Sequence, residues 1–330
     1  MSDSLTKGRQ TPKWSIGRVV MEDAQTCRTL FRNVFNTEIS QSFWNWKYGQ
    51  GRGCSLLARD RAGDVVAHYG ATIRRVRLFG QLVSALQSCD VMVRPQERGL
   101  LSRRGVFFQI ARHFQELYLG SSGEFSLAYG FPHARAMKLP VLLGLYREID
   151  TVTEIHWRPL ESSSWLKPVA TAIEGPRDIE AIANRLWPKM AAQLNGFIVV
   201  DRSADYLRYR YLNHPEFSYQ YWLVRSSWTQ RPMGLAILKV ESDTVKIMDL
   251  LADVSNLGRV ILSLRRAMRV QGWKTLIAWA AHNQAPYFSG TDGVPHDMGV
   301  CIPDHAWTPG LPMETIKNRW WISLGDTDFA

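Results

Sequence analysis

The stretch DVMVRPQERGLLSRRGVFF, Asp90 to Phe108, gathers residue types that handle anionic chemistry at one short turn. Pro95 cannot donate a ladder hydrogen bond and so ends the apolar strand before it, while Gly99 lets the backbone approach a ligand without a Cβ. The N–H groups of Arg98 to Leu101 then point outward at a predicted helix start, where the macrodipole adds about half a positive charge. Between Arg74 and Arg112 eight arginines face two acids, Asp90 and Glu97, in a chain whose formal net charge is +10. More than half of that charge therefore surrounds one turn, which points to focused phosphate binding rather than a long basic track. A pyrophosphate fits there, reinforced by Arg98, Arg103 and Arg104.

The helix after this turn, predicted from Leu100 to Leu119, carries Phe107, Ile110, Ala111, Phe114, Leu117 and Tyr118 at three- and four-residue spacing. That spacing makes one apolar stripe, with Arg104, Arg112, Gln115 and Glu116 opposite. Before the turn the pattern predicts a strand (15–20), helices over 22–35 and 40–48, and three strands; after the helix come a strand (125–130) and a helix (133–143). This is an α+β arrangement with an antiparallel start and a parallel crossover.

The order then repeats. FWNWKY (Phe43 to Tyr48) and YLRYRY (Tyr206 to Tyr211) share one pattern, and each precedes two strands and a strand bearing an aspartate, Asp90 or Asp249. Matching local pattern and matching order together indicate duplication. A Ser- and Pro-containing linker separates the copies, giving expected domains of 1–157 and 178–330 around a linker at 158–177, each a mixed, mostly antiparallel sheet flanked by helices.

Composition narrows the class. At 330 residues and 45% hydrophobic content the chain can bury a large core. It has no apolar run long enough for a membrane helix, and its polar start is not a signal peptide. Cys27, Cys54, Cys89 and Cys301 lie far apart with no CxxC pair, which predicts free thiols in a reducing, cytoplasmic setting. His296, Asp297, Asp304 and His305 are metal-ligand types, but their spacing matches no tight motif and no metal is expected.

The turn resembles motif A of the GNAT superfamily of acyl-CoA N-acyltransferases, with Gln96, Arg98 and Gly99 at the matching positions and Leu101 where the pattern has Gly or Ala. FSLAYGFPHARAMKLPVLLGL is similar to the family's motif B, and the FWNWKY opening to bacterial tandem-GNAT proteins associated with cell-envelope polysaccharide or peptidoglycan. The second copy has SNLGRV, with Gly258 and Arg259 but no arginine run, and reads as degenerate for coenzyme A.

The resemblance implies acetyl-CoA or another acyl-CoA as co-substrate and an amine on a small molecule, saccharide or peptide as acceptor. Backbone groups of Met92 and Val93 would hold the pantetheine arm, with Arg98, Gly99, Leu100, Leu101, Ser102 and Arg103 around the phosphates and His133 at the place of a family asparagine. Asp90 is the candidate general base, directly or through water, and Tyr129 the candidate acid for the departing thiolate, with Tyr146 as a substitute. Two rivals remain open: an aminoacyl-tRNA-dependent transferase, against which the arginine turn argues, and a non-catalytic binding protein using its Trp-rich cleft. Nucleic acid is not an expected partner.

Overall fold

The computed structural model describes residues 13–98, 102–120, 123–161 and 168–328. Gly99, Leu100 and Leu101 lie outside the described residues. In the first half the elements are β1 (Ser15–Arg18), α1 (Ala24–Phe35), α2 (Gln41–Tyr48), β2 (Gly53–Arg59), β3 (Val65–Leu78), β4 (Gln81–Val93), α3 (Val106–Tyr118), β5 (Ala128–Tyr129), α4 (Ala134–Leu142) and β6 (Tyr146–Trp157). The second half has β7 (Val169–Ile173), α5 (Pro176–Gln193), β8 (Ile198–Val200), α6 (Ala204–Leu207), β9 (Gln220–Arg225), β10 (Pro232–Glu241) and β11 (Thr244–Ala252). It continues with α7 (Leu257–Gln271), β12 (Thr275–Ala281), β13 (Val294–His305), α8 (Met313–Ile316) and β14 (Trp320–Trp321).

Two mixed sheets result, and each borrows from the other half of the chain. The first runs β1-β2-β3-β4-β5, with β8 and β14 added beside β3; the second runs β13-β6-β12-β11-β10-β9-β7. Strand β6, inside the first expected domain, thus sits between β12 and β13, and β7, inside the expected linker, pairs with β9. The halves are interlocked at the level of hydrogen-bonded strands. In each sheet the turn to a parallel strand follows the aspartate-bearing strand: β4 pairs β5 at Leu86–Ala128 and Gln87–Tyr129, and β11 pairs β12 from Thr244–Thr275 to Ile247–Ala278.

One face of the first sheet packs on α3 through Tyr69, Leu86, Phe108, Ile110 and Phe114, all buried. Of the stripe read from the sequence, Ile110, Ala111, Phe114 and Tyr118 are buried and Phe107 and Leu117 half-buried, while Gln115, expected on the polar face, is fully buried and donates to Leu145 O; cutting Phe114 to Ala would cost about 3–5 kcal/mol through the cavity left. The helix begins later than its periodicity predicts, however. Gly105 is its N-cap in extended conformation (φ −74°, ψ 151°), and its amide is drawn back to Ser102 O at 2.9 Å in a tight turn. Strand β5 is also shorter than expected, because the chain leaves β4 after Tyr129.

The two aromatic hexapeptides meet in side-chain contacts. Trp46 and Tyr209, the fourth residues of FWNWKY and YLRYRY, stack at 4.7 Å and 16°. Trp46 Nε1 donates to Tyr209 O (3.0 Å), and Tyr209 OH donates to Trp46 O (3.1 Å). Reciprocal contacts between equivalent residues are what a local twofold relation between the copies produces.

Candidate functional site

Strand β4 is interrupted at Asp90. Register against β3 passes from Gly70–Cys89 to His68–Met92, a bulge, and Asp90 takes a left-handed conformation (φ 49°) rare for a residue other than Gly. The neutral ring of His68, whose pKa burial lowers despite the nearby Asp90, fixes the bulge by donating from Nδ1 to Asp90 O at 2.7 Å. This kink, rather than plain strand alternation, aims the carboxylate at the end of α2.

There Lys47 Nζ lies 2.9 Å from Asp90 Oδ1 and 2.8 Å from Asp328 Oδ2, and Tyr48 OH donates to Asp90 Oδ2 at 2.5 Å. Gly70 makes room, since a Cβ there would collide with the Tyr48 hydroxyl. Burial would push the Asp90 carboxyl up, but the ammonium and the hydrogen bonds outweigh it and hold it below its ordinary value. Burial likewise opposes the Lys47 charge, yet Asp328 and Asp90 keep that ammonium well above its usual range. The group carries two carboxylates on one ammonium. Cys89, Asp90 and Asp328 bring ligand atoms within 4.8 Å of one another, but the ammonium already bridges the two carboxylates. His296 and Asp297 are exposed on β13 while Asp304 and His305 are buried at its end, Asp304 being paired to Arg147.

The second half repeats this chemistry with different groups. Tyr211 OH donates to Asp249 Oδ2, again through space left by a glycine, Gly325. Arg202 bridges Asp249 (2.5 Å) and Asp326 (2.9 Å). The tyrosine–aspartate bond thus recurs in both halves, between the last residue of each hexapeptide and the strand aspartate that follows it. Sequence reading missed Lys47, Asp328, Arg202 and Asp326; a signal was present for Lys47 alone, as the basic fifth residue of its hexapeptide.

The other predicted residues are dispersed around β4. Met92 is fully buried and Val93 half-buried, the latter's carbonyl accepting from Arg98 Nε at 2.9 Å. Arg103 and Arg104 are exposed, Arg103 lying over Phe108 and Trp307. Ser102 Oγ accepts from Arg104 N at 3.2 Å, so it shapes the turn. With α3 starting at Val106, the free amides of its first turn are those of Val106 to Phe108, several residues beyond the predicted Arg98–Leu101. Gly105 is the missed residue; a Gly immediately before the first apolar-periodic position is an N-cap signal. His133 caps α4, its Nδ1 accepting from Arg135 N at 3.3 Å. Tyr129 is buried, its hydroxyl has no hydrogen-bond partner among the described residues, and burial pushes its pKa well up, so it stays protonated. Tyr146 instead bonds Tyr69. Among the described residues no helix is long and apolar enough to cross a membrane.

The family model of an acetyltransferase (GNAT) domain matches residues 16–137. No curated protein matches the chain. Among solved structures, a probable N-acyltransferase of unknown function from Enterococcus faecalis aligns at TM-score 0.66 and 12% identity over 88% of this chain and 71% of that one. A GCN5-related N-acetyltransferase from Anabaena variabilis aligns at 0.62 and 13% over 89% and 73%. Saccharomyces cerevisiae N-myristoyltransferase with bound myristoyl-CoA aligns at 0.56 and 9%, covering 96% of this chain and 87% of that one. Residues 16–137 thus match the model of an acetyltransferase (GNAT) domain, and the chain shares its fold with N-acyltransferases of known structure over about nine-tenths of its length.

Proposed function

We propose that the chain transfers an acyl group, most simply acetyl, from acyl-CoA to the amine of a small molecule, saccharide or peptide, using the first half for the donor. The observation that carries this reading is the twelve-residue connection 94–105 between the bulged strand β4 and α3, basic in sequence and ending in an N-cap glycine. The second half joins β11 to α7 with only the four residues 253–256. A diphosphate would meet the first-turn amides of α3 and the exposed Arg98, Arg103 and Arg104, with Ser102 beside Arg104. Met92 and Val93 would offer backbone groups to the pantetheine arm beyond the bulge. His133, occupied as a cap, would contribute through the helix start it fixes.

When bound, acyl-CoA supplies the thioester; the residues supply placement and proton handling. The acceptor amine would approach the face of β4 that bears Asp90, between the halves. Two carboxylates sharing the Lys47 ammonium leave one negative charge to receive the amine's proton through a water. Asp90, held ionised, anchors that array, and Tyr129 offers a neutral hydroxyl near the departure of β5 from β4. The interlocked sheets favour treating 1–157 and 178–330 as copies within one working unit rather than separable domains.

Calorimetric titration of acetyl-CoA and CoA tests this, beside an Arg103→Glu/Arg104→Glu variant changed only at exposed side chains. Micromolar binding that weakens at least tenfold in the variant is the expected outcome. A wild-type protein that binds neither compound overturns the reading and brings the binding-protein rival forward.

A further inference from the structure

The sheet face that carries Asp90 also holds a row of buried polar side chains whose hydrogen bonds are incomplete. Thr72 stands directly opposite Gln87 on β4, and Gln87 directly beside Tyr129 on β5, so the three lie in one cross-strand row; Arg74 follows two residues after Thr72 on the same face. Their exposures are 1%, 0%, 1% and 5% for Thr72, Gln87, Tyr129 and Arg74. Arg74 Nε donates to Gln87 Oε1 at 2.8 Å. Beyond that bond, Thr72 Oγ1, Arg74 Nη2, Gln87 Nε2 and the Tyr129 hydroxyl are buried with no hydrogen-bond partner among the described residues.

The charge balance is equally incomplete. Lys47 and Arg202 each have two carboxylates, whereas Arg74 has none within salt-bridge distance among the described residues. Burial opposes the Arg74 charge, and the groups that next act most strongly on it are Tyr209, Tyr129, Tyr206 and the like-charged Arg210. Tyr209's ring, 5.8 Å from the guanidinium carbon, gives it a face to lie on but no counter-ion. Buried polar groups in folded proteins are almost always paired, and an unpaired buried cation beside three further unused donors marks the place of a missing acceptor.

The stereochemistry specifies that acceptor. Gln87 spends its oxygen on Arg74 and has only its NH2 to offer; a guanidinium never accepts; the two hydroxyls complete four donors around one positive charge. A carboxylate has one negative charge and two oxygens with about four lone-pair sites, equal in number to these donors. A phosphate would bring up to two charges and a third oxygen with nothing to meet them.

From these observations we propose that Arg74, Gln87, Thr72 and Tyr129 form the carboxylate subsite for the acyl acceptor, so that the substrate is an amine bearing a carboxylate. This rests on the N-acyltransferase reading for the amine's role. Gln87 and Cys89 lie on one face about 7 Å apart along the strand, and Cys89 Sγ is 3.4 Å from the Tyr48 hydroxyl that bonds Asp90. The amine and carboxylate of the acceptor are accordingly several bonds apart, as in an ω-amino acid or a short peptide.

Thiol release from acetyl-CoA is measured with 4-aminobutyrate, 6-aminohexanoate and glycylglycine, each beside its carboxamide. Binding of the same acids without acetyl-CoA is followed by calorimetry, and binding of CoA alone is measured in parallel. The expected result is an acid-over-amide preference in kcat/KM of about 100-fold, with acid binding detectable without donor. Arg74→Met loses both while CoA binding stays unchanged; Gln87→Leu and Tyr129→Phe, which keep the shape, each reduce the preference about tenfold and guard against a folding failure of the Arg74 variant. CoA binding and turnover with equal use of acid and amide overturn the subsite and leave the acyltransferase reading standing. Absence of CoA binding with acid binding intact overturns the acyltransferase reading alone. If no acid binds to a protein that folds normally, water fills the row and the subsite is wrong.

Discussion

The two halves hold the same device in two forms. Each has a tyrosine after a short aromatic helix bonded to an aspartate at a strand bulge, and each has one buried cation shared by that aspartate and another from the C-terminal segment. In the first half these are Tyr48, Asp90, Lys47 and Asp328; in the second, Tyr211, Asp249, Arg202 and Asp326. The difference lies in what surrounds them. Asp249 is fully buried and the space where β11 and β12 part is lined by Trp321, Ile322 and Gln284, leaving a cavity of about 30 Å³, too small for a ligand. Gln284 locks that plug, donating to Ile322 O and accepting from Ile322 N. In the first half Asp328 is 14% exposed, marking where the polar layer meets solvent, and the long basic turn lies beyond β4. The second-half cluster is closed on all sides, whereas the first-half cluster is closed except at Asp328.

The strongest way to break that comparison is to remove the cations. Arg202→Met strands two buried carboxylates and should cost about 3–5 kcal/mol, read as a fall in urea midpoint at unchanged slope. Lys47→Met should cost less, because Asp328 can rehydrate at the rim. Equal losses would show that the first-half cluster is as closed as the second.

Removing the tyrosine hydroxyls separates stability from activity. Tyr48→Phe and Tyr211→Phe each delete one hydrogen bond to a charged acceptor, about 1.5–3 kcal/mol, and the two losses should be similar. Acyl transfer should fall at least tenfold only in Tyr48→Phe, measured by thiol release at saturating donor. A comparable fall in Tyr211→Phe would mean that the second copy takes part in catalysis.

Much of this was legible in the sequence. Helix periodicity located the α3 stripe, and the two aromatic hexapeptides with their aspartates located the repeat, because local pattern and order of elements are properties of the chain itself. The start of α3 was misplaced because apolar residues continue the pattern in the sequence ahead of Gly105, which caps the helix. The shared cations' partners were not legible: Asp326 and Asp328 reach their sites from the opposite end of the chain, and only the interlocked sheets bring the tail across. The Thr72, Gln87 and Tyr129 row depends on register between three strands, which no single strand encodes.

The aspartates should also respond to acid with opposite signs. Burial, together with Asp249, outweighs Arg202 and raises the Asp326 carboxyl to about 6. The folded chain then binds this proton more tightly than the unfolded chain, so between about pH 4 and pH 6 Asp326's contribution to stability falls as pH rises. Asp90, held below its ordinary value, contributes stability above about pH 4 and loses it as pH drops further. Urea midpoints from about pH 3 to pH 7 for the wild type, Asp326→Asn and Asp90→Asn isolate the two. The wild-type advantage over Asp326→Asn should shrink from pH 4 to pH 6, and that over Asp90→Asn should shrink only below about pH 4.

The smallest effect on the fold comes from charge at the two strand-to-helix turns, and it bears most directly on how the copies diverged. Arg104 is exposed in the long turn, and Arg259 stands in the first turn of α7 after the short one. Neither side chain is part of a buried network, so Arg104→Glu and Arg259→Glu should each leave the urea midpoint within about 0.5 kcal/mol of wild type. For donor binding the two should part: reversal at Arg104 places a negative charge beside the diphosphate and should raise the KM for acetyl-CoA about tenfold, with kcat little changed, as expected when ground state and transition state lose the same contact. Reversal at Arg259 should change neither constant. The salt dependence sharpens the contrast, since the Arg104 effect should shrink as ionic strength rises from 0.05 to 0.5 M and exposed charges are screened over about 10 Å or less. An equal response at Arg259 would place a second donor site on the half whose turn spans four residues, and the division of labour between the copies would have to be redrawn.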